Sequence, residues 1–269
     1  MMIKTLSRLV TVAFVAFTLS APQSWAGAVL DRIVEKKVIR VGMSGDQAPL
    51  NAKAINGQTI GFEVDFARLL ARALDVELEV VNVPFGELQE ALREGRVDAV
   101  MSGMSITPER ARNLAFVGPY LVSGKSLVTR QSSLASAQDP AEISRKEIKI
   151  AVLANSTSQS FVEKHAPDAT IVPVDHYDAA IEMLIKDEVS AMVADMPACL
   201  LAVLRNPNAG LLTTTRPLKL EPIGMAVDAR DEELRNLLDN YVVALERSGV
   251  VNVLRKKWFE SSEWIRLLP

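Results

Sequence analysis

One cysteine, Cys199, and two histidines, His165 and His176, are all the thiol and imidazole chemistry this chain holds. A single cysteine excludes an intrachain disulfide. With so few soft donors, a zinc-type ligand set of His and Cys cannot be assembled either. Cys199 lies in the apolar helical run Ala198–Leu204 and reads as a small buried hydrophobe. The chain contains no GxSxG elbow, no phosphate-cradling GxxxxGK[ST] loop and no GxGxxG turn. The common nucleophile and nucleotide signatures are therefore missing. Basic clusters are missing too. The first 26 residues hold Lys4 and Arg8 and no acid, so the remainder carries 28 basic against 33 acidic groups, a net −5. A mildly acidic chain without basic stripes is a poor nucleic-acid binder. Beyond the N-terminus, no stretch has the apolar length of a membrane-spanning helix.

What is present begins at the N-terminus. Lys4 and Arg8 precede an apolar run, Leu9–Ala21, broken only by Thr11, Thr18 and Ser20. Ser24-Trp25-Ala26 then places small residues at the −3 and −1 places of a cleavage site before Gly27. Residues 1–26 are thus expected to be a cleaved secretory signal, the run being too short for a span; an uncleaved anchor is the alternative. Cys is absent near the cut, so a lipid anchor is not indicated. With 49% hydrophobic and 23% charged residues, the rest has globular composition and enough length for two folding units.

That remainder alternates apolar strands with amphipathic helices, the pattern of an α/β fold. Strands are expected at Val38–Gly42, Val76–Val83 and Val97–Met101, with helices at Phe62–Leu74 and Phe85–Glu94. The spacing of Phe62, Phe66, Leu69, Leu70 and Ala73 makes one apolar face, leaving Glu63, Arg68 and Arg72 toward water. Thr107-Pro108 is expected to open another helix, with Thr as its cap. A second series follows: strand Ile148–Leu153, helix Ser158–His165 behind a Ser156/Gln159 capping box, strand Ala169–Val174, helix Tyr177–Asp187 and strand Val189–Ala194. Residues 130–147 read as a polar surface connection. A strand (Gly224–Val227) and a helix (Glu232–Ser248) close the chain. If that tail returns to the first unit, the chain crosses between units twice, near Ser126–Arg130 and Leu218–Ile223, and two crossings make a hinge.

Four motifs carry a family resemblance. They are Asp98-Ala99-Val100-Met101-Ser102-Gly103-Met104-Ser105-Ile106-Thr107-Pro108-Glu109-Arg110 followed by Phe116-Val117-Gly118-Pro119-Tyr120; Gly61-Phe62-Glu63-Val64-Asp65; Glu221-Pro222-Ile223-Gly224-Met225-Ala226-Val227; and Leu245-Glu246-Arg247-Ser248-Gly249 with Lys257-Trp258-Phe259. In their order along the chain, with Gly61–Asp65 first, they resemble the periplasmic polar-amino-acid-binding proteins of bacterial ABC importers. The resemblance implies an α/β, two-lobed Venus-flytrap fold with mixed sheets, helices on their flanks and two hinge crossings. Residues 27–127 and 224–269 would form lobe 1, and 128–223 lobe 2. It further implies capture of an amino acid or amino-acid-like molecule in the periplasm, delivery to ABC permease subunits, a monomer, and no cofactor, metal or catalysis.

The implied site residues follow. Arg110 would hold the ligand's α-carboxylate, a task for which a forked guanidinium is suited; on spacing alone it could equally pair with Glu109 on a solvated face. Ser102, Gly103 and Ser105 offer hydroxyls and amides beyond a strand's carboxyl end, where open α/β sheets bind ligands. Ser156 and Thr157 would donate to the same carboxylate, although Ser156 also reads as a helix cap. Asp195 would accept the ligand's ammonium, or else cap the helix begun by Met196-Pro197. Phe85 would pack on the ligand, or serve as core. Gln47 and Leu50 stand where that family often has aromatics, and Asp46 and Asn51 add polarity, which weakens the case for a cation sandwiched between rings. The rival reading is a cyclohexadienyl (prephenate/arogenate) dehydratase-like enzyme on the same scaffold, with Asp46, Glu87 or Asp195 as its acid.

Overall fold

Val38–Met43 (β1) is flanked on both sides by parallel partners, Glu77–Asn82 (β2) and Ala99–Val100 (β3). Ile39, Val41 and Met43 share one face of β1 and are all buried, while on the other face Gly42 is buried and Val38 and Arg40 are half-buried. The computed structural model describes residues 27–269, so the expected signal peptide lies outside the described residues. Phe62–Ala73 (α1) crosses over from β1 to β2 and buries Phe62, Val64, Phe66, Ala67 and Leu70. Glu63 departs from expectation. It lies on the buried side of α1 with no exposure, because Asn51, Gly103 and Tyr120 supply its hydrogen bonds.

Two long strands join the halves of the molecule. Leu114–Thr129 (β4) runs antiparallel to Lys219–Asp228 through most of its length. The second half has Lys149–Leu153 (β5) between Thr170–Val174 (β6) and Ala191–Asp195 (β7), all parallel, with β7 antiparallel to the end of β4. With Lys219–Asp228 as β8, the order is β2-β1-β3-β8-β4-β7-β5-β6, and a short strand, Leu212–Thr213, also pairs with β4. The chain's return to its first half is direct: Ala226 and Val227 of β8 pair with Val100 and Ala99 of β3. The helix Glu232–Arg247 then buries Leu234, Leu238 and Val242 in the core of that half. Each such burial contributes roughly 1.5–3 kcal/mol.

Three local expectations change. Thr107-Pro108 opens only a three-residue 3₁₀ turn, Arg110–Arg112, so no helix dipole forms behind Arg110. Thr107 Oγ1 still accepts the Arg110 N–H at 3.3 Å. Ser156 caps the helix Thr157–His165 (α2 hereafter), but the Gln159 side chain reaches the Asn155 N–H instead of completing a box on Ser156. The connection at 130–147 is not purely surface: the short helices Ser132–Ala135 and Pro140–Ile143 bury Leu134 and Ile143. Cys199 is buried as expected, and burial pushes its thiol up to about 12.

Candidate functional site

Between the halves lies a cavity of about 420 Å³ whose wall includes Arg110, Ser156, Thr157, Lys219 and Glu221. Arg110 is 8% exposed. Its Nη1 donates to the Ser105 carbonyl at 3.0 Å, and its Cζ lies 5.7 Å from the centre of the Phe85 ring. The 3₁₀ turn and these two contacts fix the guanidinium. Burial pulls its pKa down, while the nearby carboxylates of Glu221 and Asp195 oppose that shift. Among the described residues no carboxylate lies within ion-pair distance of Arg110, so pairing with Glu109 is not what holds it.

Sequence reasoning missed the centre of the site. Glu221, on β8, is 5% exposed, and its Oε2 accepts from Ser105 Oγ at 2.7 Å and Thr157 Oγ1 at 2.8 Å. Lys125 Nζ completes the set at 3.2 Å. Ser105 belongs to the first half and Thr157 opens a helix in the second, so one carboxylate ties the two together. The two hydroxyls also touch each other at 3.2 Å. Burial raises the Glu221 carboxyl, but Lys125 and the two hydroxyl donors outweigh it and hold the group below the usual carboxylate range.

Lys125, 1% exposed, is the second omission. Its position follows from strand register. Lys125 of β4 sits opposite Asp195 of β7 on one side and Lys219 of β8 on the other, and Glu221 is the next same-face residue of β8. Cross-strand neighbours meet at 4.5–5.5 Å between Cβ atoms, and Lys125 Nζ accordingly donates to Asp195 Oδ1 at 2.9 Å. A buried ammonium is costly unless paired, and two carboxylates satisfy this one. Both omissions were present in the text of the chain: a lysine in the Ser123-Gly124-Lys125-Ser126 stretch, and the first residue of the Glu221-Pro222-Ile223-Gly224 motif.

The remaining expected residues divide into two groups. Phe85 and Ser105 contact Arg110, and Ser156 and Thr157 line the cavity with it. Ser156 spends its hydroxyl on the Leu153 carbonyl at 2.6 Å and on the Gln159 N–H at 3.2 Å, so capping is its visible role. Asp195 makes no capping bond to the helix Met196–Arg205 and is turned instead to Lys125. Ser102, Gly103 and Gln47 do not line the Arg110 cavity. They belong to a polar network inside the first half, where Ser102 bonds Ser44, Gln47 bonds Ser44 and the Gly103 N–H donates to Glu63 at 2.7 Å. Asn51 and Tyr120 also donate to Glu63, at 2.6 and 2.5 Å.

Asp46 opens onto a neighbouring cavity of about 440 Å³, also between the halves, where Tyr177 and Asp178 face it. Burial raises its carboxyl above the usual value, and its Oδ1 is buried without a hydrogen-bond partner among the described residues. Glu87 is exposed and Leu50 is core. Among the described residues there is no cluster of three or more His, Cys, Asp or Glu suited to a metal, and no helix long and apolar enough to cross a membrane.

Comparison with known proteins agrees with this architecture. The profile of the bacterial extracellular solute-binding proteins, family 3, matches residues 39–261. The ABC transporter arginine-binding protein 1 of Escherichia coli is 25% identical over 224 residues, covering 82% of this chain and 90% of its own length. The cyclohexadienyl dehydratase of Pseudomonas aeruginosa is 28% identical over 231 residues, covering 86% of each. The holo structure of ArgBP from T. maritima superposes with a TM-score of 0.76 at 31% identity, covering 85% of this chain and 99% of that one.

Proposed function

The chain belongs to the bacterial extracellular solute-binding proteins of family 3, and we propose that it captures an amino acid or amino-acid-like small molecule in the periplasm and presents it to the membrane subunits of an ABC importer. One observation carries the reading: a buried guanidinium, Arg110, without a carboxylate in ion-pair distance among the described residues, at the wall of a cavity between two halves joined by two strands. A ligand carboxylate supplies what that guanidinium lacks, by two parallel N–H···O bonds. Thr157 and Ser105, on opposite halves, donate their hydroxyls to Glu221, whose side chain lines the same cavity. Contacts made to both halves at once favour the closed arrangement, so binding shifts the population toward it. No step in this cycle breaks a covalent bond.

The lobes are assigned as residues 27–127 with 224–269, and 128–223, and the protein acts as a monomer. Residues 1–26 serve as the export signal. Phe85 backs the guanidinium, while Gln47, Ser102 and Gly103 hold the loop behind the site in shape. Replacing Arg110 with Ala should abolish binding of any carboxylate ligand at an unchanged melting temperature. Truncating a buried, hydrogen-bonded charge of this kind costs on the order of 2–5 kcal/mol. Calorimetry that finds undiminished affinity in the variant removes Arg110 from the site.

A second reading is favoured by Asp46. Its raised carboxyl, unpartnered at Oδ1 and facing a cavity between the halves, is the kind of group that donates a proton. Coupled with the similarity to a cyclohexadienyl dehydratase, it supports an enzymatic role on the same scaffold. Incubation with prephenate or arogenate separates the two: product formed by the wild type and lost in Asp46→Asn establishes the enzyme, and unchanged substrate dismisses it.

A further inference from the structure

We infer that the cavity at Asp46 is a binding site for an organic cation, an alkylammonium or a guanidinium, and that the far end of the captured amino acid supplies it. The inference deepens the capture reading and rests on it for the source of the cation. It makes Asp46 the residue that selects the ligand's side chain, as Arg110 selects its carboxylate.

Two acceptors from opposite halves line this cavity. Asp46 follows β1 in the first half, and Tyr177 opens the helix Tyr177–Ile185 in the second. Asp46 Oδ1 is buried without a hydrogen-bond partner, and among the described residues no basic side chain lies within ion-pair distance of that carboxylate. Tyr177 is 7% exposed, and its hydroxyl makes no hydrogen bond among the described residues. Burial and the neighbouring carboxylates of Asp195 and Asp46 push that hydroxyl's pKa up, so it stays neutral and keeps an oxygen that accepts. Buried acceptors left unpaired are costly, so a donor belongs between them.

Charge decides which donor. Burial raises the Asp46 carboxyl, and Ser44 and its own backbone N–H offset that only in part. A nearby cation favours the ionised form, and its hydrogen bonds to a carboxylate are stronger than those of a neutral donor. The other charges of the wall do not serve Asp46. Glu182 pairs with Lys186 at 2.6 Å, Arg205 donates to the Pro269 backbone oxygen at 2.5 Å, and Lys53 and Asp178 are exposed. Gln47 and Leu50 offer a cation no rings; the carboxylate beside them offers a charge instead.

One ligand can serve both cavities. The charge of Asp195 bears on Arg110 and on Tyr177 alike, which brings the carboxylate end and the cationic end within electrostatic range of a single residue. Ala48, Ile181 and Leu201 give the Asp46 cavity apolar wall, suited to the methylenes of a long side chain whose charged head lies beyond them.

The test is calorimetric titration of the wild-type protein with pairs matched in shape: L-arginine against L-citrulline, and L-lysine against L-norleucine. In at least one pair the charged member should bind about tenfold more tightly or better, the difference that one hydrogen bond to a charged group makes. Neutral members that bind as tightly as their charged partners overturn the inference and leave capture standing. Binding by none of the four overturns it as well. Agmatine, which is arginine without its carboxylate, separates the two readings: it should bind far more weakly than arginine. Agmatine as tight as arginine, with the charge preference intact, keeps the cation site and overturns the capture of a carboxylate by Arg110. Asp46→Asn provides a second readout, because it should erase most of the preference for the charged member. An unchanged ratio in a variant with native circular dichroism overturns the role given to Asp46. Should that variant fail to fold, the wild-type pairs decide alone.

Discussion

Glu221 concentrates the residue-scale physics of this protein. A carboxylate with 5% exposure survives burial because one ammonium and two hydroxyls meet it. Its pKa in the fold lies below the usual carboxylate value of 4.5. A depressed carboxyl stabilises the fold above that value, and the contribution is lost as pH falls through the depressed one. Glu221→Gln removes the effect. The stability gap between wild type and variant should therefore be widest near neutral pH and close progressively below pH 4.5. Charge-assisted hydrogen bonds of this kind contribute about 1.5–3 kcal/mol. Urea melts between pH 3 and pH 7 measure the gap, and a gap that widened toward acid would reverse the assignment. Neither Glu221 nor Lys125 was legible as a site residue beforehand. A lysine between Gly124 and Ser126 reads as an ordinary solvent-facing residue until its partner is known, and that partner, Asp195, is 70 positions away.

Elements were legible wherever local chemistry dominates. The apolar stripe of α1, the Ser156 cap of α2 and the strands on either side of it follow from side-chain period and capping, which act over a few residues. Expectation failed where a tertiary partner overrode the local pattern. Glu63 sits on a helix that otherwise alternates well, yet it is drawn inward by donors from Asn51, Gly103 and Tyr120. Thr107-Pro108 looks like a helix start, but the chain must turn at once into β4, and a single 3₁₀ turn is all that fits. The entry to α1 shows how tightly these junctions are drawn. Gly61 has φ +146°, and a Cβ there would come within 2.1 Å of the Leu50 carbonyl oxygen, which is backbone and cannot swing aside. Gly61→Ala should cost on the order of 1–3 kcal/mol from the backbone conformation alone, with the collision adding to it. Thermal denaturation is the measurement, and a variant as stable as wild type would contradict the geometry.

The whole molecule is two α/β halves joined by the β4–β8 pair, with hydroxyls of Ser105 and Thr157 meeting on Glu221 where the halves face each other. A ligand bound by both halves stabilises the folded state by mass action, about 2.7 kcal/mol at a hundred times its dissociation constant. For a chain of this size that is a rise of roughly 5–10 °C in melting temperature. A tight-binding ligand that leaves the melting temperature unmoved would show that it binds the unfolded chain as well as the closed fold. The sequence by itself determined the alternation of strands and helices, the order of the motifs and the inward-facing stripes, because each depends on residue types within one turn or one strand, while the candidate guanidinium came from the resemblance those motifs carry. Only the tertiary structure decided what surrounds that guanidinium. The Lys125–Asp195 pairing, the burial of Glu63 and the meeting of two halves on Glu221 arise from strand register and packing between distant segments, and desolvation then sets which charges must find one another.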